Sequence, residues 1–235
     1  DIKQKTFEVS SQKLLKLLNK TKISISNDET RHYLNGIYLH KTKLENKSFL
    51  CGVATDSHRL SSSSLEIDPK INIEPIILPK KTIFQLIFLL EQSSGIIKIS
   101  NNKSKIKFEI NGGVLISKVI DGRFPDYSKV IPKNNDKILQ IKLDEFRNSI
   151  ERVATVSSDR TKGLKMNISK DAVQLSVNNP NSGEGIENIN AKFNSNDLNI
   201  SFNSRYLTDI ASQIENEFIV INLKDANSPV LINDF

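Results

Sequence analysis

Apolar residues fall at every second position in several short runs and at three-to-four spacing in a few longer ones, so strands and amphipathic helices both belong to this chain. Thr6–Ser10 alternates and predicts a strand. Q-K-L-L-K-L-L-N follows, with Leu14, Leu15, Leu17 and Leu18 on one face, and predicts a helix over Gln12–Asn19 with Ser10 or Ser11 as N-cap. The polar turn S-N-D-E-T-R leads to strands at Tyr33–His40 and Phe49–Asp56, a helix at Lys80–Gln92 and strands at Ile96–Ser100 and Lys105–Ile110. The same order then recurs. A strand at Ile138–Leu143 precedes a helix at Glu145–Ala154, with Asp144 as cap or first-turn acid. The turn S-S-D-R-T-K-G follows, then strands at Leu164–Ser169 and Ala172–Asn178, a helix at Ser204–Ile214 and strands at Glu217–Leu223 and Val230–Asn233. The displacement is roughly 125–130 residues, the mark of an internal repeat.

Few helices against many strands predict an α+β fold with helices on one face of antiparallel sheet. The stretch I-P-K-N-N-D-K has a linker's make-up and sets the expected domains at 1–132 and 133–235. The 235 residues suffice for two domains, each with its own core. One cysteine, Cys51, forms no internal disulfide, which fits a reducing compartment. The longest apolar run, near Ile83–Leu90, is too short to span a bilayer. D-I-K-Q-K-T-F lacks the apolar core of a secretory signal, so a cytoplasmic location is expected.

Charge adds a direction to this picture. The net charge is +6. Residues 1–132 hold 21 Lys+Arg against 13 Asp+Glu, and residues 133–235 hold 12 against 14. The positive field belongs to the first half, where its expected partner is a polyanion. Lys13, Lys16 and Lys20 share the face of the first helix opposite its leucines. Lys80 and Lys81 open a later helix behind Pro79, read as its first helical residue. Cations there oppose the helix dipole by a few tenths of a kcal/mol each, which suggests an outside anion. Lys20 aside, these lysines are read as having no aromatic in their own helix to stack a base. Salt-sensitive contact to a nucleic-acid backbone, without sequence readout, is therefore expected.

The stretch A-T-D-S-H-R-L-S places Asp56, Ser57 and His58 side by side, the residue types of a hydrolytic triad. Neighbours on an extended segment point to opposite faces, so Ser57 and His58 are badly placed for a nucleophile–base bond. The three histidines, His32, His40 and His58, lack zinc-site spacing, and no phosphate-binding glycine loop is present. No catalytic residue, metal or cofactor is assigned.

T-R-H-Y-L-N-G-I at 30–37, V-A-T-D-S-H-R-L at 53–60, D-G-R-F-P-D-Y-S-K-V-I-P at 121–132, N-S-R-Y-L at 203–207 and S-P-V-L-I-N-D at 228–234 together resemble the bacterial sliding clamp, the beta subunit of DNA polymerase III. The resemblance spans the whole chain and matches the second and third of that family's three domains. It implies a DNA-clamp fold in which each domain is two β-α-β-β-β units, helices inward and sheets outward. It implies a non-catalytic processivity factor, closed as a homodimeric ring on duplex DNA. It places Lys13, Lys16, Lys20, Lys80 and Lys81 on the DNA-facing surface, with Arg147 and Arg205 from the second half and the turn at Arg31, His32 and Tyr33.

The resemblance further implies a pocket for a short clamp-binding peptide carried by polymerase subunits, the clamp loader and repair proteins. Its walls would be Leu34, Thr55, Ser57, His58, Arg59 and Leu60, then Pro125, Lys129 and Val130, with Asn203, Tyr206 and Pro229 from the third domain. Thr, Arg, Asn and Tyr suit orienting hydrogen bonds and the apolar residues suit anchors. Ser57 stands where the family usually has Gly, and Lys129 replaces a frequent Arg, which removes a planar bidentate donor. No first domain precedes Asp1, and the family's last strand would follow Phe235. The chain is thus expected to be a monomeric fragment. Two other readings remain: a general nucleic-acid-binding module without a peptide pocket, and a hydrolase using Ser57 and His58.

Overall fold

The computed structural model describes residues 6–157 and 162–234. It divides into two compact units, one ending at Pro125 and the other starting at Asp126, ahead of the expected boundary at 132. The stretch taken for a linker belongs to the second unit: the Asn135 side-chain amide donates to the carbonyls of Asn222 (2.9 Å) and Pro229 (3.0 Å).

The first unit is β1 (Phe7–Ser10), α1 (Ser11–Lys22), β2 (Gly36–Leu44), β3 (Lys47–Thr55) and β4 (Leu60–Ile67), then β5 (Ile76–Pro79), α2 (Lys80–Glu91), β6 (Ile96–Asn101), β7 (Lys105–Ile110) and β8 (Gly113–Lys118). This is β-α-β-β-β twice. The copies exchange their first strands: the sheets run β4-β3-β2-β5 and β1-β6-β7-β8, all antiparallel. α1 and α2 pack side by side, α1 also against β3 and β4, and α2 against β2 and β5. Their buried residues join strand residues in one core that includes Leu14, Leu18, Ile83, Leu86 and Phe108.

The second unit is β9 (Lys137–Lys142), α3 (Leu143–Ala154), β10 (Gly163–Ile168), β11 (Ala172–Asn179) and β12 (Gly183–Phe193), then β13 (Leu198–Asn203), α4 (Ser204–Ala211), β14 (Phe218–Leu223) and β15 (Leu231–Asn233). Its strands form a single antiparallel sheet, β13-β10-β11-β12-β9-β14-β15, because β12 runs on to pair with β9. Phe146, Ile150, Met166 and Leu175 are fully buried in its core.

Local chemistry explains where these elements depart from the expected ones. The strand expected at Tyr33–His40 starts only at Gly36. Residues 29–34 make a 3-10 turn, with Asp28 accepting the Thr30 amide at its start (2.9 Å). Gly36 passes so close to β5 that a Cβ there would strike the Leu78 carbonyl oxygen. Pro79 is the N-cap of α2 rather than its first helical residue, and gives it no side-chain cap. Lys142 takes that position for α3, so Asp144 is a first-turn acid and not a cap. Ser10 is the N-cap of α1. Strands β4, β5, β8, β12 and β13 were not expected. Four serines follow Leu60 in β4, and β12 reads G-E-G-I-E-N-I-N-A-K-F, so neither shows a clear apolar run. The turn S-S-D-R-T-K-G lies largely outside the described residues.

Candidate nucleic-acid interface

On α1 the leucines at 14, 17 and 18 are buried, Leu15 is partly so, and Lys13 and Lys16 are exposed, with Lys20 half-buried. The 3.6-residue period alone separates these two faces. At the start of α2, the Lys80 amide donates to the Asn35 carbonyl (3.0 Å) and its Nζ to Asn27 Oδ1 (2.5 Å). Lys81 is exposed, and no acid occupies the first turn. Among the described residues Lys13, Lys80 and Lys81 form no ion pair. The unopposed charge on two adjacent helices is the chemistry of an anion-binding surface.

The same helix carries a feature that the sequence reading passed over. Phe84 is 48% exposed and Phe88 61% exposed, one turn apart beside the lysines. The expectation of no companion aromatic is therefore wrong. Both rings lie in the Ile83–Leu90 run, which was weighed only as a membrane span, and both fall outside the buried stripe of the helix.

The turn at Arg31–Tyr33 is tightly tied. Arg31 Nε donates to Asp28 Oδ2 (2.8 Å) and its Nη1 to Ser57 Oγ (2.5 Å). Hydrogen bonds from the Thr30 hydroxyl, then from Arg31 and the Thr30 amide, hold the Asp28 carboxyl down at about 2. The His32 Nε2 is 3.1 Å from the Asp121 carbonyl, and its ring meets Tyr33 edge-on. In the second unit Arg205 is exposed near the start of α4. Arg147 instead turns inward: its Nε and Nη2 donate to the Ala211 carbonyl (2.9 and 2.6 Å), and Nη2 also to that of Ile214 (2.9 Å). It caps the end of α4, which closes at Ala211, short of the expected Ile214.

The A-T-D-S-H-R-L segment is a rigid loop after β3. Thr55 Oγ1 donates to the Arg59 carbonyl (2.8 Å) and accepts from the Ser57 amide (3.1 Å). Asp56 Oδ1 accepts from the amides of His58 (2.9 Å) and Arg59 (3.0 Å), and Oδ2 from Arg59 Nε (3.1 Å). Both carboxylate oxygens are thus used by the loop and the guanidinium, which gives Asp56 a structural role in place of the one a triad would ask of it. Ser57 sits at φ +78°, a left-handed conformation that favours the Gly usual there.

Leu34 is buried, Leu60 half-buried, and His58 and Pro125 are exposed. In the second unit Val130 is 61% exposed, and Lys129 pairs with Asp126 at 3.4 Å. Asn203 caps α4 by accepting the Arg205 amide (3.0 Å), Tyr206 is half-buried, and Pro229 is exposed. Sequence reasoning missed the Tyr38–Phe124 stack, 4.9 Å between centroids and nearly coplanar, which seats the Phe of D-G-R-F-P. Among the described residues no cluster of three metal-ligating side chains exists, and no helix is long and apolar enough to cross a membrane.

Residues 8–126 match the family model for the DNA polymerase III beta subunit, central domain, and residues 128–235 match that for its C-terminal domain. This chain belongs to the DNA polymerase III beta-subunit family. The beta sliding clamp of Caulobacter vibrioides (strain NA1000 / CB15N) is 35% identical over 227 residues, covering 96% of this chain and 61% of that protein. That of Escherichia coli (strain K12) is 29% identical over 228 residues, covering 97% and 61%. Among solved structures, a DnaN sliding clamp from Bartonella birtlesii bound to griselimycin superposes with a TM-score of 0.94 at 38% identity, over 100% of this chain and 64% of that one. The C. crescentus beta sliding clamp, with PEG bound to a putative beta-motif tethering region, superposes at 0.95 and 34% identity, over 98% and 62%. The chain therefore spans somewhat under two thirds of these relatives' length.

Proposed function

We propose that this chain supplies the middle and C-terminal domains of a sliding clamp, a non-catalytic processivity factor of bacterial DNA replication. Full length, it would act in the cytoplasm as a homodimeric ring around duplex DNA. There it would hold the polymerase of the DNA polymerase III holoenzyme, the clamp loader and repair proteins through their short clamp-binding motif. The observation that carries the DNA reading is the group of ammonium ions at Lys13, Lys80 and Lys81, exposed or half-buried on neighbouring helices and free of ion pairs among the described residues. Lys16, Lys20, the Arg31–Tyr33 turn and Arg205 extend the set. Arg147 contributes less, because its Nε and Nη2 are spent on α4.

A surface of this kind binds phosphates by counterion release and reads no sequence. Lys80→Glu with Lys81→Glu should weaken duplex binding at least about tenfold and lower the salt slope by about two. An unchanged, salt-insensitive affinity would remove the assignment. For the peptide, Leu34, Thr55, Ser57, His58, Arg59, Leu60 and Pro125 of the first unit and Lys129, Val130, Asn203, Tyr206 and Pro229 of the second are the proposed contacts. A clamp-binding peptide with apolar anchors and a Gln should bind this chain at micromolar strength or weaker. No binding here, with binding to a full-length relative, would leave the fold and sink the peptide site.

A further inference from the structure

We propose that the outer face of α2 is a binding site for an unpaired DNA strand, with Phe84 and Phe88 as the stacking platform and Lys80 and Lys81 as phosphate contacts. The rings are 48% and 61% exposed and lie about one helical turn apart. The fold does not need them, since Ile83, Leu86, Ile87 and Leu90 already bury the opposite face of the helix. Rings and lysines line one open groove of about 830 Å³, whose far side includes Asn27 and a single carboxylate, Glu29.

The occupant must satisfy flat apolar rings and uncompensated cations together. Duplex DNA answers only the lysines, because its bases are already stacked and its phosphates are what it presents. An apolar protein surface answers only the rings and would desolvate Lys80 and Lys81 without a counter-charge. An unpaired strand offers both: exposed base faces for the phenylalanines and a phosphodiester for the ammonium groups. The one carboxylate at Glu29 leaves the groove net positive. The inference goes beyond duplex encirclement and rests on that reading only for the choice of DNA over RNA.

The test is fluorescence anisotropy of the whole chain with three probes of about twenty nucleotides, in low salt: oligothymidylate, oligouridylate and a duplex. Oligothymidylate should bind. Phe84→Ala with Phe88→Ala should weaken it about tenfold or more while changing duplex affinity less than about twofold, and the Phe→Tyr pair should retain binding. Oligothymidylate affinity indifferent to the alanine pair overturns the proposal, as does an equal loss for duplex or tighter binding of oligouridylate. Sedimentation showing a self-associated chain that the alanine pair dissociates would assign the face to a second copy instead. Duplex binding without oligothymidylate binding sinks this inference alone. The reverse result sinks the duplex reading and leaves this one standing.

Discussion

The two units share a plan and differ at one seam. In the first, β4 stops at Ile67 and the unit keeps two four-stranded sheets. In the second, β12 continues to Phe193 and joins its two halves into one seven-stranded sheet. The ladder registers locate the cause. The last residue of β4 paired to β3 is Ile67, and the last of β12 paired to β11 is Asn190. Two residues beyond these stand Pro69 and Lys192. Lys192 pairs with Gln140 of β9, while the amides of Ala191 and Phe193 turn the other way, to the carbonyls of Asp171 and Lys170. Proline has no amide to offer at that place, and the chain of the first unit instead folds back, the Lys70 amide donating to Asp68. Pro69 thus withholds, in the first unit, the amide that Lys192 has free to turn toward β9 in the second. The units differ in charge as well: α1 and α2 have no acid in the first turn, and nor has α4, whereas α3 opens with Asp144 and Glu145.

The largest effects should come from the cores, which the comparison treats as equivalent. Phe108 and Phe146 are fully buried, one in each unit. Either Phe→Ala change should cost about 3–5 kcal/mol in urea unfolding. A cost below about 1 kcal/mol at one site would show that the two cores are not packed alike. Next comes the seam itself. Lys192→Pro should destabilise by about 1–3 kcal/mol, because it removes a ladder amide and leaves its acceptor unpaired. Hydrogen exchange should then quicken in β9 and the end of β12 while β10 and β11 keep their protection. Unchanged exchange in β9 would mean that the proline does not explain the difference between the units.

Much of this plan was legible in advance. The leucines of α1 and the apolar stripe of α3 repeat at helical spacing, and both helices were placed within a few residues. The basic character of the first unit was countable, and the quoted motifs carried the family. Illegible were strands whose outward positions are polar and whose inward ones are small, β4 above all, since alternation shows only when both sets contrast. Side-chain commitments were hidden too. Nothing in E-F-R-N says that Arg147 will cap a helix more than sixty residues away, and nothing in F-Q-L-I-F says which rings stay outside.

The charge difference between the units gives a third, smaller test. Single reversals at Lys81 and at Arg205 should each weaken duplex binding, by about 1 kcal/mol or less, with Lys81→Glu the larger because its neighbour Lys80 acts on the same phosphates. Anisotropy titrations at two salt concentrations separate them. If Arg205→Glu is the more damaging, the polyanion is not held chiefly by the first unit.

The smallest expected effect concerns two carboxylates held by different means. Asp28 of the first unit is lowered to about 2 by the Thr30 hydroxyl, then by Arg31 and the Thr30 amide. Asp225 of the second is lowered chiefly by the Asn227 amide and the Ser228 hydroxyl, with no arginine among its partners. Hydrogen bonds to the charged form favour it in both cases. A depressed carboxyl contributes stability that is present above its unfolded value, near 4, and is lost as pH falls through the folded value. For Asp28 that window runs from about 4 down to about 2. Carboxyl NMR should therefore show Asp28 titrating near the lower limit, and Thr30→Val should raise it further than Arg31→Gln does. Salt should change it little, since short hydrogen bonds outweigh the screened charge of an exposed arginine. Were Arg31→Gln the larger perturbation, or salt able to restore the ordinary value, the turn would be held by charge rather than by geometry. Its contact with Ser57 would then be free to open whenever a phosphate competes for the guanidinium.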